Sequence, residues 1–391
     1  MLTSTDNELR SSQSDVGHSG RGRGAATVLV LSGTLTITAG ATVAPAVPGI
    51  REAFSRVAHV DLLARMITTT HALAIVLFAR VAGILVERVR GRRSLLLGMA
   101  AFAVVGSSGS YLPSLYGILA GRVVLGIGVS LVMISSMAMV ADLYEGAERQ
   151  KLFGRQTAAG AFGGVVLLLG GGAPAELDWH VVFLVYLLGG VLAVPAFLSL
   201  PRRGEKPPAE APTAQEPSGA GPPKASKGIP AGVLAALAAM TLGQIAFYVV
   251  PVQLPFLIED HFHAGSLVSG GIIAVQTLVT GLVSLRFAFF RRLAGEHLLV
   301  ALSFLVMGVG FVVLTLAPHV AVPALGMVLL GTGLGVLMPT LNSWVLSEAF
   351  TQVRGRYAGF LTTALFLGQF AAPAVVVAAG YALGGRRRRT A

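Results

Sequence analysis

Two stretches of this chain, roughly 200 residues apart, read alike: Arg122-Val-Val-Leu-Gly126-Ile-Gly128-Val-Ser-Leu-Val-Met133 and Met327-Val-Leu-Leu-Gly331-Thr-Gly333-Leu-Gly335-Val-Leu-Met338 share five of twelve aligned positions. Neither shows the strict alternation of a strand or the one-sided stripe of a helix on a water-soluble core, because apolar residues occur on every side. Each sits inside a longer apolar run, 115–141 and 319–345, and a helix needs about 20 such residues to cross the hydrocarbon of a bilayer. Two weaker echoes lie at a similar offset of about 200 residues: Gly83 with Arg88 recurs as Gly281 with Arg286, and Pro45 with Pro48 recurs as Pro251 with Pro255. Matching elements at a fixed offset are the mark of an internal repeat.

Composition agrees that lipid is the main solvent. Of 391 residues 54% are hydrophobic and only 12% charged, about half the charge of a typical soluble domain. Apolar runs predict six spans in the first half, at 26–50, 62–86, 93–113, 115–141, 156–175 and 181–200. The second half has five, at 230–258, 266–290, 297–317, 319–345 and 357–383. Residues 1–25 read as a disordered cytoplasmic tail, and 201–228 as a flexible linker rich in Pro, Ala and charge. The chain thus divides into a six-helix bundle (26–200), the linker, a five-span bundle (229–384) and an Arg-rich tail (385–391). Spanning backbone must satisfy its own hydrogen bonds, so an all-α polytopic membrane protein is expected.

The net charge of +11 does not read as a nucleic-acid footprint, because Lys and Arg cluster in short loops between apolar runs. With the N-terminus inside, nineteen of the 29 basic residues fall in cytoplasmic segments, as the positive-inside rule requires. Arg386 to Arg389 then lie on the wrong side of an eleven-span chain. That conflict reads as a twelfth span missing from the second bundle.

The loop after span 2 reads Gly83-Ile-Leu-Val-Glu87-Arg88-Val-Arg90-Gly91-Arg92-Arg93, and span 4 places Arg122 ahead of Gly126 and Gly128. On these motifs and the repeat, the chain from residue 26 onward resembles the major facilitator superfamily, whose two six-helix halves are parallel repeats. It departs from the loop pattern in having Glu87 for Asp and an inverted Arg90-Gly91 pair. The glycine-proline motif of drug:proton antiporters is matched in span 5 only by glycines, at Gly160, Gly163, Gly164 and Gly170 to Gly172. The segments around Phe247–Phe256 and Gly335–Trp344 are similar to bacterial multidrug and siderophore exporters. The resemblance implies two bundles rocking about a central site, and a latch of Glu87, Arg88, Arg92 and Arg93 with Asp142 that is made in one state and broken in the other.

Charge inside a bilayer is costly, so ionisable groups within spans are candidates for function. Arg122 reads either as a cavity-facing charge or as a donor to interhelical carbonyls. Arg80 either serves transport or snorkels to the interface. His71, behind Thr68, Thr69 and Thr70, is a proton shuttle or a packing residue. No Asp or Glu falls in the middle of any span. The interior field is therefore positive and favours neutral or anionic amphipathic substrates over cations. Thr34, Thr38 and Thr42 in span 1, with Gln244 and Tyr248 in span 7, have helical spacing and suggest a wet face. Gln253, Gln276, Asn342 and Trp344 add donors and an aromatic wall, while Met133, Met137 and Met338 suit a pliable apolar site.

The Glu259-Asp260-His261-Phe-His263 cluster reads as a solvated turn rather than a metal site, and Gly331 to Gly335 lacks the Lys of a phosphate loop. No cofactor is expected. The reading is a monomeric, non-enzymatic secondary transporter of the cytoplasmic or inner membrane. Its expected task is proton-coupled export of small amphipathic molecules, by an alternating-access antiport cycle. The different-class alternative is a membrane receptor or regulatory relic of the same fold.

Overall fold

The computed structural model describes residues 24–40, 42–89, 91–201, 230–348 and 354–387. Most of the expected N-terminal tail and almost all of the linker lie outside them, as do Arg388 and Arg389. The molecule is helical where the apolar runs require it. In chain order the helices are α1 (Gly24–Ala53), α2 in two pieces (Val60–Met66 and Thr70–Val89), α3 (Gly91–Gly106), α4 (Leu115–Leu143), α5 (Gly146–Leu177) and α6 (Val181–Ser199). The second half holds α7 (Ala231–Phe262), α8 (Ser266–Leu285), α9 (Glu296–Thr315), α10 (Val322–Glu348) and α11 (Arg354–Arg387).

Among the described residues nine helices are long and apolar enough to cross a membrane, or ten if the bent pair in α2 is one span. The count of eleven expected from sequence is therefore not met in full, for two local reasons. Helix α3 is 16 residues long and tightens into a 3-10 turn at Ser107–Ser110. Helix α2 bends by 51° between its pieces. The bend follows from three successive threonines: Thr68 Oγ1 donates to the Arg65 carbonyl (2.8 Å) and Thr70 Oγ1 to the Met66 carbonyl (2.7 Å). Hydroxyls that bond back to the preceding turn compete with the backbone ladder and bend helices. The main chain there tightens to three-residue bonds, from Thr69 N to Met66 O and Ala72 N to Thr69 O.

Packing reproduces the repeat. Helix α3 lies against α4 as α9 lies against α10, and α2 against α4 as α8 against α10. Across the two halves α2 meets α11 and α5 meets α8, pairs that exchange under the same two-fold relation. Each half has its own apolar core, but they interlock: Phe366 of α11 joins the first, while Ala44 of α1 and Leu168 of α5 join the second. The outer surface is apolar, with Leu77, Val81, Val191, Leu198 and Leu305 each more than half exposed. In water that would be a very large sticky patch; against lipid tails it is the ordinary boundary.

The α5–α8 seam is lined by glycine. A Cβ at Gly172 would lie 3.0 Å from the Ser266 carbonyl, and one at Gly270 would lie 3.0 Å from the Leu168 carbonyl. Small residues let membrane helices approach to backbone contact. The inverted loop glycine has a similar reason, since a Cβ at Gly91 would meet the Met139 side chain at 2.8 Å.

Candidate functional site

The deepest polar cluster assembles around Arg122 of α4. Its side chain is 2% exposed and lies over the rings of Phe183 and Tyr186 of α6, 4.8 Å from each centroid. Nη1 donates to the Tyr186 hydroxyl (2.6 Å), which donates in turn to the Ala39 carbonyl of α1 (2.8 Å). Nη2 is buried with no hydrogen-bond partner among the described residues. One turn along α4, Gly126 packs against the His71 carbonyl of α2, which leaves no room for a side chain: a Cβ would stand 2.3 Å from that oxygen.

His71 closes the cluster from the other side. A Cβ at Gly40 would lie 2.6 Å from His71 Cε1, 3.0 Å from the Thr68 carbonyl and 3.0 Å from the Tyr248 hydroxyl. Gly40 is thus the point at which α1, α2 and α7 converge, and where the two halves touch through Tyr248. His71 Nδ1 and Thr69 Oγ1 are buried without a partner, as is Arg122 Nη2. An imidazole nitrogen and a hydroxyl beside the bend in α2, and a guanidinium nitrogen on α4, which packs on α2 through Gly126, are thus unfilled among the described residues. Buried polar groups are ordinarily satisfied, so unfilled ones mark positions that a ligand or water completes.

One turn from Tyr248, Gln244 extends the polar line into the second half. Its Nε2 donates to Met338 Sδ (3.2 Å), and its Oε1 accepts from Gln369 Nε2 (3.3 Å). Gln276 of α8 is buried with both amide atoms unpartnered.

The structure places the other expected residues differently. Thr34, Thr38 and Thr42 are buried rather than lining open space: Thr34 donates to the Ala159 carbonyl of α5 and Thr38 to its own helix. A Cβ at Gly171 of α5 would meet the Thr42 carbonyl at 2.9 Å, so this stripe packs on α5. Gln253 is exposed. Asn342 is exposed and donates to the Met338 carbonyl of its own helix. Trp344 lies against His297 with the rings tilted by 57° and centroids 4.6 Å apart, near the arginine-rich end of the bundle. At the start of α3 rather than in a loop, Arg92 donates to the Phe197 carbonyl (2.5 Å) and lies over the Phe197 ring. Arg88, Arg93 and Asp142 are exposed at the same end. A Cβ at Gly83 would meet nothing within 4 Å. Residue 90 and the side chains of Arg80 and Glu87 lie outside the described part of the structure.

Sequence reasoning missed Tyr186, Gly40 and Gln369. A lone Tyr inside an apolar span carries a hydroxyl that needs a partner, and that signal was available. It also missed Gln156 of α5, whose Nε2 donates to the Leu29 carbonyl, Ser32 Oγ and Ser136 Oγ at 3.1 to 3.2 Å and so ties α5 to α1 and α4.

Comparison with known proteins follows the same lines. The family model of the Major Facilitator Superfamily matches residues 29–373. The tetracycline resistance protein, class C, of Escherichia coli is 28% identical over 377 residues, 90% of this chain and 89% of that protein. The multidrug efflux pump LfrA of Mycolicibacterium smegmatis is 30% identical over 178 residues, 44% of this chain and 33% of that one. The fold matches the inward open xylose transporter XylE from E. coli with a TM-score of 0.70 at 16% identity, covering 89% of this chain and 88% of that one. A bacterial homolog of the human lysosomal transporter Spinster, inward-facing and occupied, gives 0.72 at 16% identity over 89% of this chain and 79% of that one.

Proposed function

We propose, from the premise that this chain belongs to the Major Facilitator Superfamily, that it exports small neutral or anionic amphipathic molecules by alternating access, coupled to protons. The observation that carries the substrate class is Arg122. It is a buried guanidinium bonded to a neutral phenol, with one nitrogen unfilled. A cationic cargo would have to approach that charge without a carboxylate to offset it, whereas a carboxylate, enolate or carbonyl oxygen fits it. Tetracycline resistance and multidrug efflux, the activities in the names of two relatives, support export as the direction.

The two halves meet at Gly40 and Tyr248, along the glycine seam and, away from the arginine-rich end, where Arg51 bonds Asp260. We read this as the state that opens to the cytoplasm, with the N-terminus on that side and the protein in the inner membrane. We assign the sensing of cargo and proton to His71, Arg122 and Tyr186, and the latch at the arginine-rich end to Glu87, Arg88, Arg92 and Arg93 with Asp142.

The test is flux in proteoliposomes with an imposed proton gradient and a panel of neutral, anionic and cationic amphipathic dyes. Uphill movement of the neutral or anionic probes, abolished by an uncoupler and by Arg122→Ala, is expected. Transport confined to cations would overturn the substrate class, and flux indifferent to the uncoupler would overturn the coupling.

A further inference from the structure

At the end of the molecule away from the arginine-rich loops, a contact that draws on both halves lies beside a cleft of about 880 Å³ bordered by Pro45, Glu52, Trp179 and Glu259. Phe256 of α7 is 2% exposed and packs on Val47 of α1 and Ala64 of α2. Two guanidinium groups cover its ring: that of Arg65 lies 4.3 Å from the centroid and that of Arg51 lies 4.8 Å from it. One turn further along α7, Asp260 receives Arg51, with Nη2 donating to Oδ1 at 3.2 Å and Nη1 to Oδ2 at 3.5 Å. Arg65 is steadied by donating to the Asp61 carbonyl (2.9 Å). On the opposite flank, Glu176 of α5 accepts from the Leu267 N–H at the start of α8 (3.2 Å).

These contacts are not equal. Asp260 is 56% exposed, and ion pairs open to water contribute little. The Phe256 ring is wholly removed from solvent, and a cation over an aromatic face gains where water is excluded. The ring therefore supplies the closure and the ion pair sets its register. Arg51 and Arg65 both belong to the first half and Phe256 to the second. When the halves separate at this end, the ring leaves and two like charges remain side by side, with Arg51 also deprived of Asp260. Opening is opposed by lost burial and by that repulsion together.

We propose that Phe256, clasped by Arg51 and Arg65 and registered by Arg51 with Asp260, is the gate that holds this end of the transporter shut. It rests on the alternating-access reading above. Arg51 and Arg65 are among the few basic residues outside the arginine-rich end, and the gate gives them a task that anchoring does not. They act through Phe256 on the conformational equilibrium and so are positioning residues.

The chain has no cysteine, so spin labels can be placed at will on the full-length protein in lipid nanodiscs. One pair, Ala58→Cys with His263→Cys, spans this end; another, Glu145→Cys with Arg292→Cys, spans the other. Phe256→Ala is expected to raise the fraction with this end open about tenfold, the scale of one lost buried aromatic. Phe256→Leu, which keeps volume but not the aromatic face, is expected to fall in between and guards against simple misfolding. Arg51→Asp is expected to open this end, and adding Asp260→Arg is expected to restore closure, which a merely structural role would not. Native populations in Phe256→Ala, or no recovery in the charge-swapped pair, would overturn the gate. Failure of the premise looks different: distances at both ends that stay fixed with cargo and proton gradient, and no flux in the unsubstituted protein.

Discussion

At the scale of single residues, Arg122 and Tyr186 form one unit. Truncating Tyr186 to Phe removes the acceptor for Arg122 Nη1 and the donor to the Ala39 carbonyl. Leaving buried polar groups unfilled costs about 1 to 3 kcal/mol, so Tyr186→Phe should lower thermal stability in detergent by an amount in that range and reduce flux. Stability equal to the native protein would mean that Arg122 finds another acceptor. A side chain at Gly40 meets His71, the Thr68 carbonyl and Tyr248 at once. Gly40→Val is therefore expected to wedge the halves apart, raising the population of the opposite state and abolishing transport while the protein still reaches the membrane. Normal flux in that variant would show that the convergence is not needed. Arg122, His71 and Tyr248 were legible in the sequence because charge and titratable groups stand out against an apolar background. Tyr186 carried a signal that went unread, a lone hydroxyl in an apolar span, whereas Gly40 is one of 49 glycines and carried none. Only three-dimensional convergence separates Gly40 from the rest.

At the scale of elements, the α3–α4 crossing shows how little space these helices share. A Cβ at Gly98 would stand 2.8 Å from the Gly128 carbonyl and 2.9 Å from Val132 N, both backbone. A Cβ at Gly128 would meet the Ala101 side chain at 3.1 Å and the Gly98 carbonyl at 3.2 Å. Gly98→Ala should thus destabilise by about 1 to 3 kcal/mol, the usual cost of overpacking, and Gly128→Ala by clearly less. Thermal unfolding of the two variants side by side checks this, and the reverse order would refute it. Helix existence and position were readable from apolar runs at the length a bilayer demands. The bend in α2 was not, although its cause, Thr68 and Thr70 bonding back to the previous turn, lies in plain view as a run of three threonines. The same hydroxyl ambiguity left the reading of Thr34, Thr38 and Thr42 divided between helix packing, the role each suggests singly, and the wet face suggested by the set. Threonine at helical spacing suits a wet wall and a dry helix contact equally, and here the partner α5, with its glycines and Ala159, selects the second.

At the scale of the whole molecule, orientation rests on where basic residues cluster. Reporters fused at the N-terminus and inserted in the 202–229 segment should both read cytoplasmic; an external signal from either would reverse the assignment of the two ends. The two-fold arrangement was legible because Gly126 and Gly128 in α4 return as Gly331 and Gly333 in α10, the helices that occupy equivalent places in each half. How the halves meet was not legible, since interface glycines look like lipid-facing ones until α5 and α8 are side by side.

That seam has a mechanical consequence. Where Gly172 and Gly270 bring backbone to backbone, the glycines themselves place no side chain in a socket on the opposing helix, and Leu168 beside them is an α5 side chain that must leave the second core before one half turns on the other. Such a joint behaves as a bearing with a detent. The resistance to turning then sits at Leu168 and at the fastenings on the rim rather than along the whole axle.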